Sequence, residues 1–103
     1  MDFDIVVVGA GPAGLCFARA LADTPLRIGL IETQSEESLA DPAFDGREIA
    51  LTHFSVDVLR RLGIWDRFDA ADVSPLRDAK VINGPSLQGM NIEHHHGNRA
   101  ELG

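Results

Sequence analysis

The chain of 103 residues is short of several things, and each shortage excludes something. It has one cysteine, Cys16, so no internal disulfide can form, and this usage suits a reducing compartment. Lys and Arg together number 9 against 16 Asp and Glu, a net charge of −7. Such a balance argues against nucleic acid as a partner and against a polybasic membrane-surface patch. No apolar run approaches the length needed to span a bilayer. The N-terminus carries Asp2 and Asp4 without a basic cluster, which is not the pattern of a secretory signal. Internal repeats and low-complexity segments are also missing. These absences lead us to expect a cytoplasmic chain the size of one small domain, with 45% hydrophobic residues to build a core.

What is present is concentrated in residues 4–32. An apolar run, Ile5-Val6-Val7-Val8, turns through Gly9-Ala10-Gly11-Pro12-Ala13-Gly14. Helical spacing of Leu15, Ala18, Leu21 and Ala22 predicts a helix over residues 12–22, and Thr24-Pro25 ends it. A second apolar run over residues 26–31 finishes on Glu32. Strand, glycine turn, helix, strand and acid form the βαβ fingerprint of a dinucleotide-binding fold.

Each position has a physical task in that reading. A β-branched run without polar interruption suits a strand buried on both faces, as in a parallel sheet. Gly9 permits the tight turn, Gly11 lets a pyrophosphate approach the backbone, and Gly14 lets helix and strand pack closely. Pro12 suits the first helical turn, where a missing N–H costs nothing. The N–H groups and partial positive charge of the helix N-terminus favour phosphate. Glu32, at the tip of the second strand, can accept hydrogen bonds from adenosine ribose hydroxyls and would repel a 2′-phosphate, which disfavours NADP in this site. A glycine-rich βα turn without a ligand, with Glu32 as a solvated strand end, is the competing structural reading.

Beyond Glu32 the chain is polar and acidic over residues 33–46, where Pro42 and Gly46 predict a solvated irregular loop. Thr52 is placed to cap an amphipathic helix carrying Val56, Val58, Leu59 and Leu62 and closed by Gly63. Ile64, Trp65 and Phe68 predict a short second helix packed on it. Arg47 has two readings from residues alone: a cation near a pyrophosphate or flavin, or a solvated arginine paired with Asp45 or Glu48. Residues 79–82 and 87–93 read as strands joined through Asn83-Gly84-Pro85. His94-His95-His96 invites a metal reading, but adjacent strand side chains alternate faces and cannot converge on one ion, so a polar hairpin end is preferred. Cys16, among small residues in the first helix, reads as a buried inert thiol.

On these motifs the chain resembles the N-terminal part of the flavin-dependent aromatic hydroxylases, the para-hydroxybenzoate hydroxylase-like monooxygenases, and among them the ubiquinone-biosynthesis hydroxylases. The resemblance rests on Asp4 through Leu15 with Glu32, a pattern shared by many FAD proteins. It rests more specifically on Asp45-Gly46-Arg47-Glu48-Ile49-Ala50-Leu51-Thr52 with Ser55, Leu59 and Leu62-Gly63-Ile64-Trp65. It implies an α/β fold: a Rossmann-like FAD-binding βαβ unit over residues 1–73, then the beginning of an antiparallel substrate-domain sheet over residues 74–103. It implies FAD as cofactor, with Arg47 beside the flavin's phosphate or ribityl portion, and NAD(P)H as the reductant for hydroxylation by O2. The cofactor-binding set is then Gly9, Gly11, Pro12, Ala13, Gly14, Glu32, Thr33 and Arg47; no catalytic residue and no metal ligand is assigned.

The family's downstream flavin motifs do not occur within these residues, and ending on Glu101-Leu102-Gly103 leads us to expect a segment of a longer chain, inactive by itself. The expected partner is a small aromatic substrate, prenylated if it is a ubiquinone precursor, with peripheral inner-membrane or multi-enzyme association as an open question. Two other classes stay open: a different FAD- or NAD-dependent oxidoreductase, and a non-catalytic nucleotide-binding module.

Overall fold

The computed structural model describes residues 2–103 apart from Leu87 and Asn98, and leaves aside the side chain of His96. The chain divides into two compact units, residues 1–47 and 48–103.

The first unit is the βαβ element. Strand β1 (Ile5–Val8) and strand β2 (Ile28–Ile31) pair in parallel, with Ile5 opposite Ile28 and Val8 opposite Ile31. Helix α1 (Pro12–Ala20) crosses between them, as a parallel pair requires. Both ends of the ladder are reinforced. At the start, the Asp4 carboxylate accepts the Arg27 N–H at 2.7 Å; at the far end, the Gly9 N–H donates to the Ile31 carbonyl at 2.8 Å.

Helix α1 stops at Ala20, two positions before the expected end. The N–H groups of Leu21 and Ala22 donate three residues back, to Ala18 and Arg19, which tightens the last turn. Strand β2 begins two positions late because Leu26 N–H turns to the Thr24 hydroxyl and Arg27 N–H to Asp4, both outside the ladder.

Helix α1 lies on the Val7 side of the sheet: a Cβ on Gly14 would sit 3.2 Å from Val7 Cγ1. Ile5 and Val7 are accordingly half-buried, while Val6 and Val8 are exposed, Val8 at 82%. The expected burial of β1 on both faces therefore holds for one face only within this unit. One helix covers one face of a two-stranded sheet. Part of the other face is covered by Phe3, whose ring would lie 2.9 Å from a Cβ on Gly29, so the ring occupies the place of a side chain there.

The loop expected over residues 33–46 contains a short helix, α2 (Glu36–Ala40). Ser35 caps it by accepting the Ser38 N–H at 3.2 Å, and Glu36 and Glu37 complement the helix dipole from its first turn. From residue 41 to residue 52 no helix or strand forms.

In the second unit, helix α3 (His53–Arg61) begins where expected. Thr52 Oγ1 accepts the Ser55 N–H at 3.1 Å, and Gly63, at φ +72°, ends the helix in the left-handed region. Residues 64–68 form a three-ten turn, Trp65–Arg67, in place of a short α-helix. There the Trp65 and Phe68 rings meet edge to face at 5.8 Å, and the Arg60 guanidinium stands 5.6 Å from the Trp65 ring centre.

Strands β3 (Ala79–Ile82) and β4 (Gly89–Ile92) form the expected antiparallel hairpin, with Ala79 opposite Ile92 and Ile82 opposite Gly89. Leu87, where the second strand was expected to begin, lies outside the described residues. The last residues return to this unit: Leu76 N–H donates to the Gly103 carbonyl at 2.8 Å, and Leu102 N–H to the Leu76 carbonyl at 2.6 Å. His53 Nε2 lies 2.8 Å from the Glu101 carbonyl, so α3 holds the same segment from its first residue. No described helix is long and apolar enough to cross a membrane.

Candidate cofactor site

The glycine turn between β1 and α1 contains three glycines, and the structure gives a different reason for each. Gly9 has φ +100°, a conformation L side chains rarely adopt, so glycine is required by the backbone. Gly14 is required by packing, because its Cβ would overlap the Gly9 carbonyl oxygen. Gly11 is required by neither. Its φ of −73° and ψ of 178° are open to any residue, and a Cβ there would meet nothing within 4 Å. The space beside Gly11 is free, as a turn that receives a ligand against its backbone needs.

Gly11 is also the N-cap of α1, and no side chain caps that end. Helix geometry leaves the N–H groups of Gly11, Ala13 and Gly14 without an intrahelical acceptor, while Pro12 has none to satisfy. The first turn carries no acidic residue of its own, and the acid that stands beside it comes from the end of β2. Three donors and an open approach suit an oxyanion.

Glu32 closes the other side of the turn. Its Oε2 accepts the Ala10 N–H at 2.8 Å. Its Oε1 accepts the Thr33 N–H at 2.7 Å, the Thr33 hydroxyl at 3.0 Å and the Gln34 N–H at 2.9 Å. Hydrogen bonds from Gln34, Ala10 and Thr33 stabilise the charged form and lower its pKa from 4.5 to about 2. Thr33 thus acts on Glu32 directly, and Ala10, at 4% exposure, is the residue most enclosed by the turn. Neither Ala10 nor Gln34 was singled out from sequence: a backbone N–H that holds a carboxylate leaves no trace in residue type.

Arg47 is 84% exposed at its side chain and forms an ion pair with Asp45, Nη2 to Oδ2 at 2.6 Å. Asp45 also accepts the Arg47 N–H at 2.9 Å and Nε–H at 2.7 Å, and these bonds lower the Asp45 pKa. The structure places the pairing partner among the two carboxylates expected, and it brings Gly9, Gly11, Pro12, Ala13, Gly14, Glu32 and Thr33 together around one turn. Cys16, expected to be buried, is half-buried, because α1 packs on β1 alone within this unit.

The histidine run does not lie on a strand; His94–His96 form a three-ten turn after β4. His94 Nδ1 lies 3.2 Å from Asp78 Oδ1, and His95 Nδ1 lies 2.9 Å from Glu93 Oε2. Among the described residues no group of three metal-ligating side chains comes together, and the His96 side chain is outside them.

A glycine turn with a free helix N-terminus and an acid at the second strand's tip defines a dinucleotide-binding βαβ unit. The chain belongs to the FAD binding domain family, whose model matches residues 2–101. It is 57% identical over 83 residues to the ubiquinone hydroxylase UbiM of Neisseria meningitidis, covering 81% of this chain and 18% of that protein. It is 27% identical over 99 residues to the mitochondrial ubiquinone biosynthesis monooxygenase COQ6 of Schizosaccharomyces pombe, covering 89% and 21%. It is 30% identical over 83 residues to the ubiquinone hydroxylase UbiL of Rhodospirillum rubrum, covering 81% and 19%. The chain thus spans about a fifth of the length of these relatives. The free space at Gly11 and the three unpaired donors fit the pyrophosphate of FAD.

Proposed function

We propose that this chain is the N-terminal, FAD-binding portion of a flavin-dependent monooxygenase that hydroxylates an aromatic ring, with a ubiquinone precursor as substrate. The open approach at Gly11 carries the cofactor half of this reading. The names of the relatives, ubiquinone hydroxylases and a ubiquinone biosynthesis monooxygenase, support the reaction half. A phenol 2-monooxygenase of Aspergillus fumigatus, 32% identical over 87 residues, agrees with a phenolic ring as the group attacked.

In this reading the residues of the chain bind and orient. The N–H groups of Gly11, Ala13 and Gly14 hold the pyrophosphate at the start of α1. Glu32 faces the adenosine ribose with Oε2, the oxygen that carries a single hydrogen bond of its own, from Ala10. Arg47 reaches the phosphate or ribityl portion by exchanging Asp45 for it, a charge-assisted bond replacing an exposed ion pair. FAD, when bound, would supply the redox chemistry of a hydroxylation by NAD(P)H and O2, in which one oxygen atom enters the ring and the other leaves as water. The substrate is a phenol carrying a prenyl tail, which favours peripheral association with the inner membrane or with a multi-enzyme assembly.

The test is made on the intact parent protein. Purification should return a yellow protein whose NAD(P)H oxidation and O2 uptake rise when a prenylated phenol is added and whose product is the hydroxylated ring. A flavoprotein that consumes NAD(P)H without ring hydroxylation of any phenol would overturn the monooxygenase reading and leave the family membership intact.

A further inference from the structure

Glu32 makes more hydrogen bonds to its own chain than a ribose-binding residue needs. An ionised carboxylate accepts at about four lone-pair positions. Here three donors converge on Oε1, namely Thr33 N–H, Thr33 Oγ1–H and Gln34 N–H. They fix the carboxylate at the end of β2 and turn Oε2 toward the glycine turn, where it takes the Ala10 N–H at 2.8 Å. Ala10 is only 4% exposed, so without Glu32 its N–H would lose its partner in an enclosed place. The bond falls between Gly9, at φ +100°, and Gly11, the N-cap of α1.

We propose that Glu32 is a positioning residue: it holds the glycine turn in its pyrophosphate-binding shape before the cofactor arrives, acting through the Ala10 N–H. Contact with the ribose is its smaller contribution. The proposal rests on the reading that this turn holds FAD, and it deepens that reading. Glutamine cannot replace glutamate in this role. Whichever way its amide is turned, an NH2 group faces either the Ala10 N–H or the N–H groups of Thr33 and Gln34, donor against donor.

Three measurements on the intact parent protein separate the possibilities. The first compares FAD with an analogue whose adenosine lacks both ribose hydroxyls. Wild-type protein should bind the two within about threefold, because the turn and not the ribose carries the effect; a loss of about tenfold or more, the value of a hydrogen bond to a charged group, would assign Glu32 to the ribose. The second applies the same pair of ligands to Glu32→Gln. Affinity should fall by about tenfold or more for both ligands by the same factor, whereas a loss seen with FAD and absent with the analogue would overturn the proposal.

The third follows hydrogen exchange of the cofactor-free protein across residues 9–14. Exchange should be faster in Glu32→Gln and, by a smaller factor, in Thr33→Val, which removes one of the donors that aim the carboxylate. Unchanged exchange in both variants would also overturn it. Wild-type protein that binds neither ligand would instead remove FAD from this turn, a failure of the underlying reading that exchange data on the free protein would not share.

Discussion

The Ala10 N–H and the Glu32 carboxylate, 22 positions apart in sequence, meet at 2.8 Å across the mouth of the glycine turn. That bond makes the end of β2 part of the site, and it connects a strand-tip acid to a backbone shape. The residues around it can be tested separately, because the three glycines of the turn and the acid that faces them are held by different forces.

Gly9 and Gly14 are structural. Gly9→Ala forces an L side chain into φ +100°, and Gly14→Ala drives a methyl group into the Gly9 carbonyl oxygen. Each should destabilise the folded protein by about 1–3 kcal/mol, read as a lowered thermal midpoint in the absence of FAD. A midpoint equal to the wild type for both would contradict the packing described for this turn.

Glu32 makes stability depend on pH in a defined window. Its folded pKa, about 2, lies below the ordinary 4.5, so the charged form is the one the fold favours. The contribution is therefore complete above pH 4.5 and is lost as the pH falls toward 2. Thermal midpoints of wild type and Glu32→Gln should differ most at neutral pH and converge through that window. A difference that stays constant there would mean that Glu32 is not held ionised by the turn.

Much of this was legible in the sequence, for reasons that can be named. β1, the turn and Glu32 are local signals: an unbroken β-branched run, glycines at fixed spacing and an acid at a strand end. Thr52 and Gly63 were equally plain because a cap hydroxyl and a left-handed glycine act within one turn of their own helix. What escaped is what depends on distant partners or on weak local cues. Helix α2 was read as loop, although Ser35 followed by Glu36 and Glu37 was the cap signal that could have revealed it. The open face of β1 did not escape: four apolar residues in a row report a strand's capacity for burial, and one βαβ unit cannot cover both faces of its own sheet. The pairing of Leu76 with residues 102 and 103, like the Ala10–Glu32 bond, is made by backbone groups that every residue carries.

Thr52 provides a test of the second unit. Its hydroxyl accepts the Ser55 N–H at 3.1 Å, and Thr52→Ala should cost about 1 kcal/mol of stability. Thr52→Ser should retain most of it, since the oxygen is kept. Equal losses in both variants would point to the methyl group, not the cap.

His53 anchors the returning chain. Loss of its 2.8 Å contact with the Glu101 carbonyl in His53→Phe should cost about 0.5–1.5 kcal/mol. Proteolysis should then begin near residues 99–103, the segment that contact holds. Protection there equal to wild type would show that the Leu76 pairing suffices.

Arg47 tests the reach of the loop. Arg47→Ala should weaken FAD binding by about tenfold, as loss of a charge-assisted hydrogen bond does, with no change in the thermal midpoint of the cofactor-free protein, because its ion pair with Asp45 is exposed. Unchanged affinity would leave Arg47 as the solvated partner of Asp45 and remove it from the site.

The most direct test of the central claim uses Gly11, the position where the chain itself has no need of glycine. FAD is titrated into cofactor-free wild type and Gly11→Ala, with thermal unfolding followed in parallel. The predicted result is a fall in affinity of about tenfold or more at an unchanged unfolding midpoint, because the added methyl group meets nothing in the fold and stands where the pyrophosphate must approach. Affinity equal to the wild type would contradict the placement of FAD at this turn.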